Sequence, residues 1–307
     1  MTLVKTIYRS AYWAPQVLHW KLKLWGIQEL VWFGDRGIGD DLLCTAVLRE
    51  MYKLGRRNVA MMSNWPELFE NLPYPKKVIP FEYGAIHCIQ KAGIRTLKPV
   101  YGQEISKEPQ RFVFSDRPFI QTMCESVGVE GPVENRPEIC LTARERDLYR
   151  EFQGSIVVQT SRRNPRFQIA NKEWIPGHWE KLGSRLAGMG RLVQVGSAED
   201  PEIAGATDLR GKTTLRQLAS LLANARVFVG LEGFLMHLAR AVGVPSVIIY
   251  GGWISPHQSG YIENTNLFTA LPCSPCGFTN HCEYDRECMR KITPERVAEA
   301  TEEILKR

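Results

Sequence analysis

No uninterrupted apolar run in these 307 residues approaches the roughly 20 that a membrane-spanning helix needs, so the chain is not expected to be integral to a membrane. The N-terminus also lacks the compact apolar core and small-residue cleavage site of a secretory signal, because Lys5, Arg9, His19, Lys21 and Lys23 interrupt it. Cytoplasmic residence is the expectation, peripheral to the inner membrane at most. The cysteines are then read as reduced or metal-bound rather than as disulfides. No basic stripe with interleaved aromatics accompanies the modest net charge of +6, which suits an anionic ligand or an acidic surface and not nucleic acid. No G-x-G-x-x-G follows a strand, which argues against a nicotinamide-dependent oxidoreductase.

What is present is an ordinary soluble composition, 44% apolar and 23% charged, in a chain long enough for two domains. Residues 1–28 hold no acidic residue, and they mix four Lys or Arg with Tyr8, Tyr12, Trp13, Trp20 and Trp25. This reads as a basic aromatic arm, either interfacial at a lipid surface or packed on the protein itself or on another subunit. From residue 29 on, strands alternate with helices, which argues for two Rossmann-like domains, 29–140 and 141–307, with a Pro- and Gly-bearing linker region at 128–146.

The first strand is expected at Glu29 to Phe33 and runs into the loop GDRGIGDD, with Asp40 or Asp41 capping a helix from Leu42 to Leu54. Three glycines in that loop suggest close approach of a ligand to the backbone. Further strands are expected at 58–62 and 77–81, with helices near 65–71 and 119–127 and only a weak pattern from 82 to 116. In the second half, SIVVQT at 155–160 is a strand whose following loop carries Arg162, Arg163, Arg166 and Lys172, an anion-friendly group. A helix from Ile175 to Leu186, a strand RLVQVG ending in SAED and a helix from Leu215 to Ala223 lead to the stretch 227–252. That stretch reads as strand, glycine turn, amphipathic helix and strand, a crossover whose turn can bind phosphate at the carboxyl ends of parallel strands.

Four of the eight cysteines, Cys273, Cys276, Cys282 and Cys288, follow one another as C-x2-C-x5-C-x5-C. Thiolates this dense suit a mononuclear iron or zinc, and the alternatives are an iron–sulfur cluster or thiols that are merely near one another. A closed four-thiolate site would be structural. Cys44, Cys88, Cys124 and Cys140 read as isolated thiols.

Taken in order, GIGDDLL, NKEWIPGHWEKL, VGSAED and GLEGFLMHLARAVGVPSVIIYGG resemble the motifs of glycosyltransferase family 9, the bacterial heptosyltransferases of GT-B fold. The segment PCSPCGFTNHCEYDRECM is similar to the tail of its autotransporter heptosyltransferase branch, whose cysteines hold iron. The resemblance implies two Rossmann-like domains facing each other across a cleft. It implies an inverting transfer of heptose, from ADP-heptose, to an acceptor hydroxyl on lipopolysaccharide core or on a protein serine. Asp40 would be the general base and Lys172 would neutralise the departing diphosphate, with no catalytic divalent metal required. Gly39, Thr160, Ser161, Gly196, Glu199, Glu232, Gly233, Phe234 and His237 would line the donor site with Lys172. The chain departs from the family where Glu232 and Gly233 stand in place of aspartate and threonine or serine. Another nucleotide-sugar specificity, or a non-catalytic nucleotide- or sugar-binding protein, is the alternative, and a homo-oligomer or membrane contact through residues 1–28 is a further expectation.

Overall fold

A computed structural model of the chain describes residues 2–34, 37–102, 104–105, 111–161 and 169–307. The chain opens with helix α1 (Thr2–Lys23), then strand β1 (Glu29–Trp32), helix α2 (Ile38–Lys53) and strands β2 (Val59–Met62) and β3 (Lys77–Ile79). Helix α3 (Ala85–Lys91) and strand β4 (Arg95–Leu97) follow, then the antiparallel pair β5 (Glu104–Ile105) and β6 (Phe112–Val113) and helix α4 (Phe119–Ser126). The second half contains α5 (Ala143–Asp147), β7 (Ile156–Gln159), α6 (His178–Ala187), β8 (Leu192–Val195), β9 (Thr207–Asp208) and α7 (Leu215–Asn224). It continues with β10 (Val227–Leu231), α8 (Phe234–Val242), β11 (Ser246–Ile249), α9 (Pro256–Ser259), β12 (Thr265–Leu267), α10 (Glu287–Arg290) and α11 (Pro294–Leu305).

Among the described residues the strands form two parallel sheets, ordered β3-β2-β1-β4 and β12-β11-β10-β7-β8-β9, beside the small β5-β6 pair. This is the α/β, GT-B arrangement. Strands β7, β8, β10 and β11 are buried along their whole length, which is why they read as unbroken apolar runs. Alternate residues serve opposite faces. Phe228, Ile248 and Val157 join the core shared with α2, α4, α7 and α8, whereas Val227, Val229, Val247 and Ile156 pack with α6 and α11. The first core also takes in Val31, Met61 and Leu97 of the smaller sheet, so one apolar body joins the two sheets.

Leu30, Ala60, Met62 and Ile79 face the other way and are covered by Trp20 of α1 and Leu24 just after it, together with Ala85, Cys88 and Ile89 of α3. The end of the N-terminal arm is therefore a covering layer of the protein itself. Leu18 and Leu22 of α1 and Trp25 just beyond its end remain 56%, 63% and 78% exposed, uncovered by this layer. Among the described residues no helix is long and apolar enough to cross a membrane.

Several boundaries differ from the sequence reading, each for a local reason. Helix α2 begins at Ile38, not Leu42; its N-cap is the extended Gly37, and Asp40 and Asp41 lie in the first turn without capping it. Helix α6 begins at His178 because Pro176 precedes Gly177, whose φ of 81° stops the helix from starting earlier. Around 65–71 only the three-residue 3-10 turn Pro66–Leu68 forms. Helix α3 and strand β4 occupy the stretch whose pattern was weak, since β4 is a three-residue edge strand with only Leu97 buried.

Candidate active site

The site lies where the first turns of α2 and α8 meet. Both helices follow the carboxyl end of a central parallel strand, β1 and β10, and their positive N-terminal ends point into the same region. Contact is close enough that a Cβ built on Gly39 would lie 3.5 Å from the Phe234 Cα and 3.8 Å from the His237 Cδ2. Gly39, Phe234 and His237, drawn from motifs some two hundred residues apart, are thereby brought together.

On the α2 side, the Tyr101 hydroxyl is hydrogen-bonded to Asp40 Oδ1. Burial, and then the charge of Asp40, push the Tyr101 phenol well above its ordinary range, so it stays protonated and acts as the donor. Tyr101 also stacks on Phe119, with ring centroids 4.2 Å apart, which fixes the direction from which it reaches Asp40.

On the α8 side, Lys172 comes from a 3-10 turn, Ala170–Lys172, and its ammonium pairs with the Glu232 carboxylate at the end of β10. Both side chains are buried, at 8% and 6% exposure, and the ammonium also sits 4.1 Å from the centroid of the Trp253 indole. Gly233 has φ 153° and ψ −157°, a conformation open essentially to glycine, so the residue that removes the expected hydroxyl also makes the turn into α8. His237 Nδ1 lies 2.6 Å from the Tyr261 hydroxyl. Burial drives the His237 imidazole down to about 4, a direction Lys172 reinforces and Glu232 opposes, so His237 is neutral at pH 7.

The remaining expected residues sit at the ends of neighbouring strands. Thr160 and Ser161 follow β7 and are buried, but the Thr160 hydroxyl is engaged within the fold: it donates to the Pro201 carbonyl at 2.7 Å and accepts from Gln194 Nε2 at 3.0 Å. Gly196, with φ 130°, leaves room for the Asp200 carboxylate, and Glu199 is exposed in the same turn. Arg162, Arg163 and Arg166 lie outside the described residues.

The cysteine segment underlies the Lys172 turn. Asn171 donates through Nδ2 to the carbonyls of Phe278 and His281, both at 2.8 Å, and through its backbone N–H to Thr279 at 3.0 Å. Ala170 N–H donates to Asn280 Oδ1 at 2.9 Å, and Trp174 Nε1 to the Ile292 carbonyl at 2.9 Å. From the other side, Gly277 N–H donates to the Trp253 carbonyl, and Phe112 N–H of β6 to the Gly277 carbonyl at 2.9 Å.

Among the described residues no group of three or more His, Cys, Asp or Glu side chains is arranged to hold a metal ion, and the four thiols are free. They nonetheless share one neighbourhood. A Cβ on Gly252 would lie 3.1 Å from the Cys288 sulfur and 3.8 Å from that of Cys276, so the glycine leaves a cradle beside them. Burial pushes the Cys276 and Cys288 thiols up, and charge on Cys273 or Cys282 would push both the same way. The donor set fits a thiophilic metal.

Tyr101, Trp253, Tyr261 and Asn171 are the site residues missed from sequence. Tyr101 lies in a stretch without periodicity, whereas the Gly251–Gly252 pair before Trp253 was a usable signal. A Cβ on Gly251 would overlap the Asn171 carbonyl oxygen and approach the Met289 methyl to 2.8 Å. Gly251→Ala is therefore expected to destabilise the fold by about 1–3 kcal/mol, as other overpacked sites do, and to displace the Lys172 turn. Urea unfolding checks the first effect and nucleotide affinity the second.

The model of the family "Glycosyltransferase family 9 (heptosyltransferase)" matches residues 131–285. Lipopolysaccharide heptosyltransferase 1 of Pseudomonas aeruginosa is 30% identical over 163 residues, 44% of this chain and 44% of that protein. The chain thus aligns with less than half the length of this curated relative. Among solved structures, ADP-heptose LPS heptosyltransferase II of E. coli matches with a TM-score of 0.67 at 17% identity, covering 91% of this chain and 98% of that one. The iron-containing dodecameric glycosyltransferase TibC from enterotoxigenic E. coli matches with a TM-score of 0.67 at 19% identity, covering 91% and 77%. The chain belongs to glycosyltransferase family 9, the heptosyltransferase family.

Proposed function

We propose that this chain is an inverting heptosyltransferase that moves the sugar of ADP-heptose to an acceptor hydroxyl, on lipopolysaccharide core or on a protein serine. The observation that carries the reading is the meeting of two half-sites across the first turns of α2 and α8: a carboxylate held by Tyr101 on one side, a buried lysine beside a helix N-terminus on the other. Asp40 takes the proton of the acceptor hydroxyl as its oxygen attacks the anomeric carbon. The bond from that carbon to the diphosphate breaks, and ADP leaves with the bonding electrons. Lys172 and the N–H groups opening α8 receive the growing negative charge. Neutral His237 adds no competing charge. A donor of this class supports the reading from outside the chain too, since TibC has been solved with ADP-D-β-D-heptose.

Cys273, Cys276, Cys282 and Cys288 would hold iron or zinc in a structural role, closing the segment that supports the Lys172 turn. The uncovered Leu18, Leu22 and Trp25, beside Lys21 and Lys23, suit contact with an anionic lipid surface or another subunit.

The test is ADP release from purified protein given ADP-heptose with core oligosaccharide or a serine-rich acceptor protein, beside a thermal-shift screen of ADP-, UDP- and GDP-sugars. The expected result is stabilisation by ADP-heptose above the others, growing with the logarithm of its concentration, and ADP release that requires an acceptor. Stabilisation without release on any acceptor would favour a nucleotide-sugar binder. Preference for a UDP- or GDP-sugar would move the specificity.

A further inference from the structure

The mechanism above uses one of two adjacent carboxylates. Asp41, next to Asp40 in the first turn of α2, is fully buried, and Gly37 rather than Asp41 caps the helix. The Ser63 hydroxyl, just past β2, is hydrogen-bonded to Asp41 Oδ2, and Ser63 Oγ in turn accepts the Trp65 N–H at 2.9 Å. Asp41 Oδ1 is buried with no hydrogen-bond partner. A carboxylate so placed would be a desolvated charge with half its acceptors unmet, and a protonated carboxyl is far less costly there.

Among the described residues no cation figures in what shifts Asp41. Asp40 is the charge that acts on it, and Cys44 of the same helix feels the charges of both aspartates and of Cys124 on α4. Burial first, and the charge of Asp40 with it, push Asp41 up to about 7 against the lowering effect of the Ser63 bond.

We propose that Asp41 is a positioning residue that works as the neutral acid: it ties the first turn of α2 to the end of β2 through Ser63 and leaves Asp40 as the single anionic carboxylate aimed at the cleft. This rests on the reading of Asp40 as the base. The alternative, that Asp41 is an ionised second base, makes the opposite predictions.

The experiment compares wild type with Asp41→Asn, Asp41→Leu and Asp40→Asn, reading unfolding temperature from pH 5 to pH 8 and the pH profile of ADP release. A folded-state value above the ordinary 3.8 means stability is lost as pH rises toward 7. Wild type is therefore expected to lose about 4 °C across that range relative to Asp41→Asn, the neutral isostere. Asp41→Leu is expected to lower kcat roughly tenfold with little change in KM for donor, Asp41→Asn to recover most of that loss, and the ionisation near pH 7 in the wild-type kcat profile to vanish in Asp41→Asn. Parallel stability curves for wild type and Asp41→Asn, or an Asp41→Asn enzyme as inactive as Asp40→Asn, would overturn the proposal. If the stability curves diverge as expected while Asp40→Asn turns over normally, the neutral acid stands and the assignment of Asp40 fails.

Discussion

Lys172→Met is expected to cost about 3–5 kcal/mol of folding stability, because it removes the ammonium paired with a buried carboxylate. Methionine matches the length of the lysine stem and can still lie against the Trp253 ring, so the loss measures charge and not a cavity. The desolvation already spent on Glu232 is what makes the effect large; the same pair at the surface would contribute less than about 1 kcal/mol. Removing both charges separates stability from chemistry. Lys172→Met/Glu232→Leu is expected to regain most of the lost stability, since replacing a buried ion pair by apolar residues of similar volume is often neutral or better. ADP release should remain as low as in the single variant, because only the N–H groups opening α8 are then left to meet the departing diphosphate. Urea midpoints of the two single variants and the double, set beside their ADP-release rates, form the cycle. A single variant as stable as wild type would show that the pair is not desolvated, and turnover in the double variant would remove Lys172 from the mechanism.

How much of this site is legible in sequence depends on the kind of signal each residue leaves. The crossover at 227–252 was legible because a parallel strand buried on both faces must be apolar throughout, and because Gly233 and the spacing Leu235, Leu238, Ala239, Val242 announce a turn and a helix. Lys172 stands out as one cation among four after a strand and through the resemblance of NKEWIPGHWEKL, whereas its partner Glu232 looks like a departure from the family. In the structure the Glu232 carboxylate pairs with the Lys172 ammonium, and the glycine after it occupies a backbone conformation that threonine or serine would not. Tyr101 left no trace, since it sits in an irregular segment and reaches Asp40 across 61 positions of sequence. The grip of the cysteine segment on Asn171 spans more than a hundred residues, a separation at which periodicity carries no information. The sequence offers Asp40 or Asp41 as the cap because carboxylates before an apolar run usually are; the extended Gly37 takes that position, and both aspartates lie in the first turn, Asp41 buried.

Asp40→Asn is expected to reduce turnover by about 10²–10⁴-fold, the usual contribution of a general base, equivalent to roughly 3–5 kcal/mol of barrier. Asparagine keeps the size of the side chain and an oxygen that can still accept from Tyr101, so the first turn of α2 and the unfolding midpoint should be preserved. The amide cannot take a proton at neutral pH, and the attacking hydroxyl then loses its base. Donor affinity should change little, because in the proposed mechanism the diphosphate is met by Lys172 and the start of α8 rather than by the first turn of α2. The loss should therefore appear in kcat and not in KM for ADP-heptose, the pattern of an interaction made in the transition state alone. Tyr101→Phe provides the graded comparison: it removes the hydroxyl that bonds the Asp40 carboxylate, and a loss of about tenfold is expected. Measured ADP release within tenfold of wild type for Asp40→Asn would place the base elsewhere. A kcat loss in Tyr101→Phe equal to that of Asp40→Asn would instead assign the proton transfer to the pair acting as a unit.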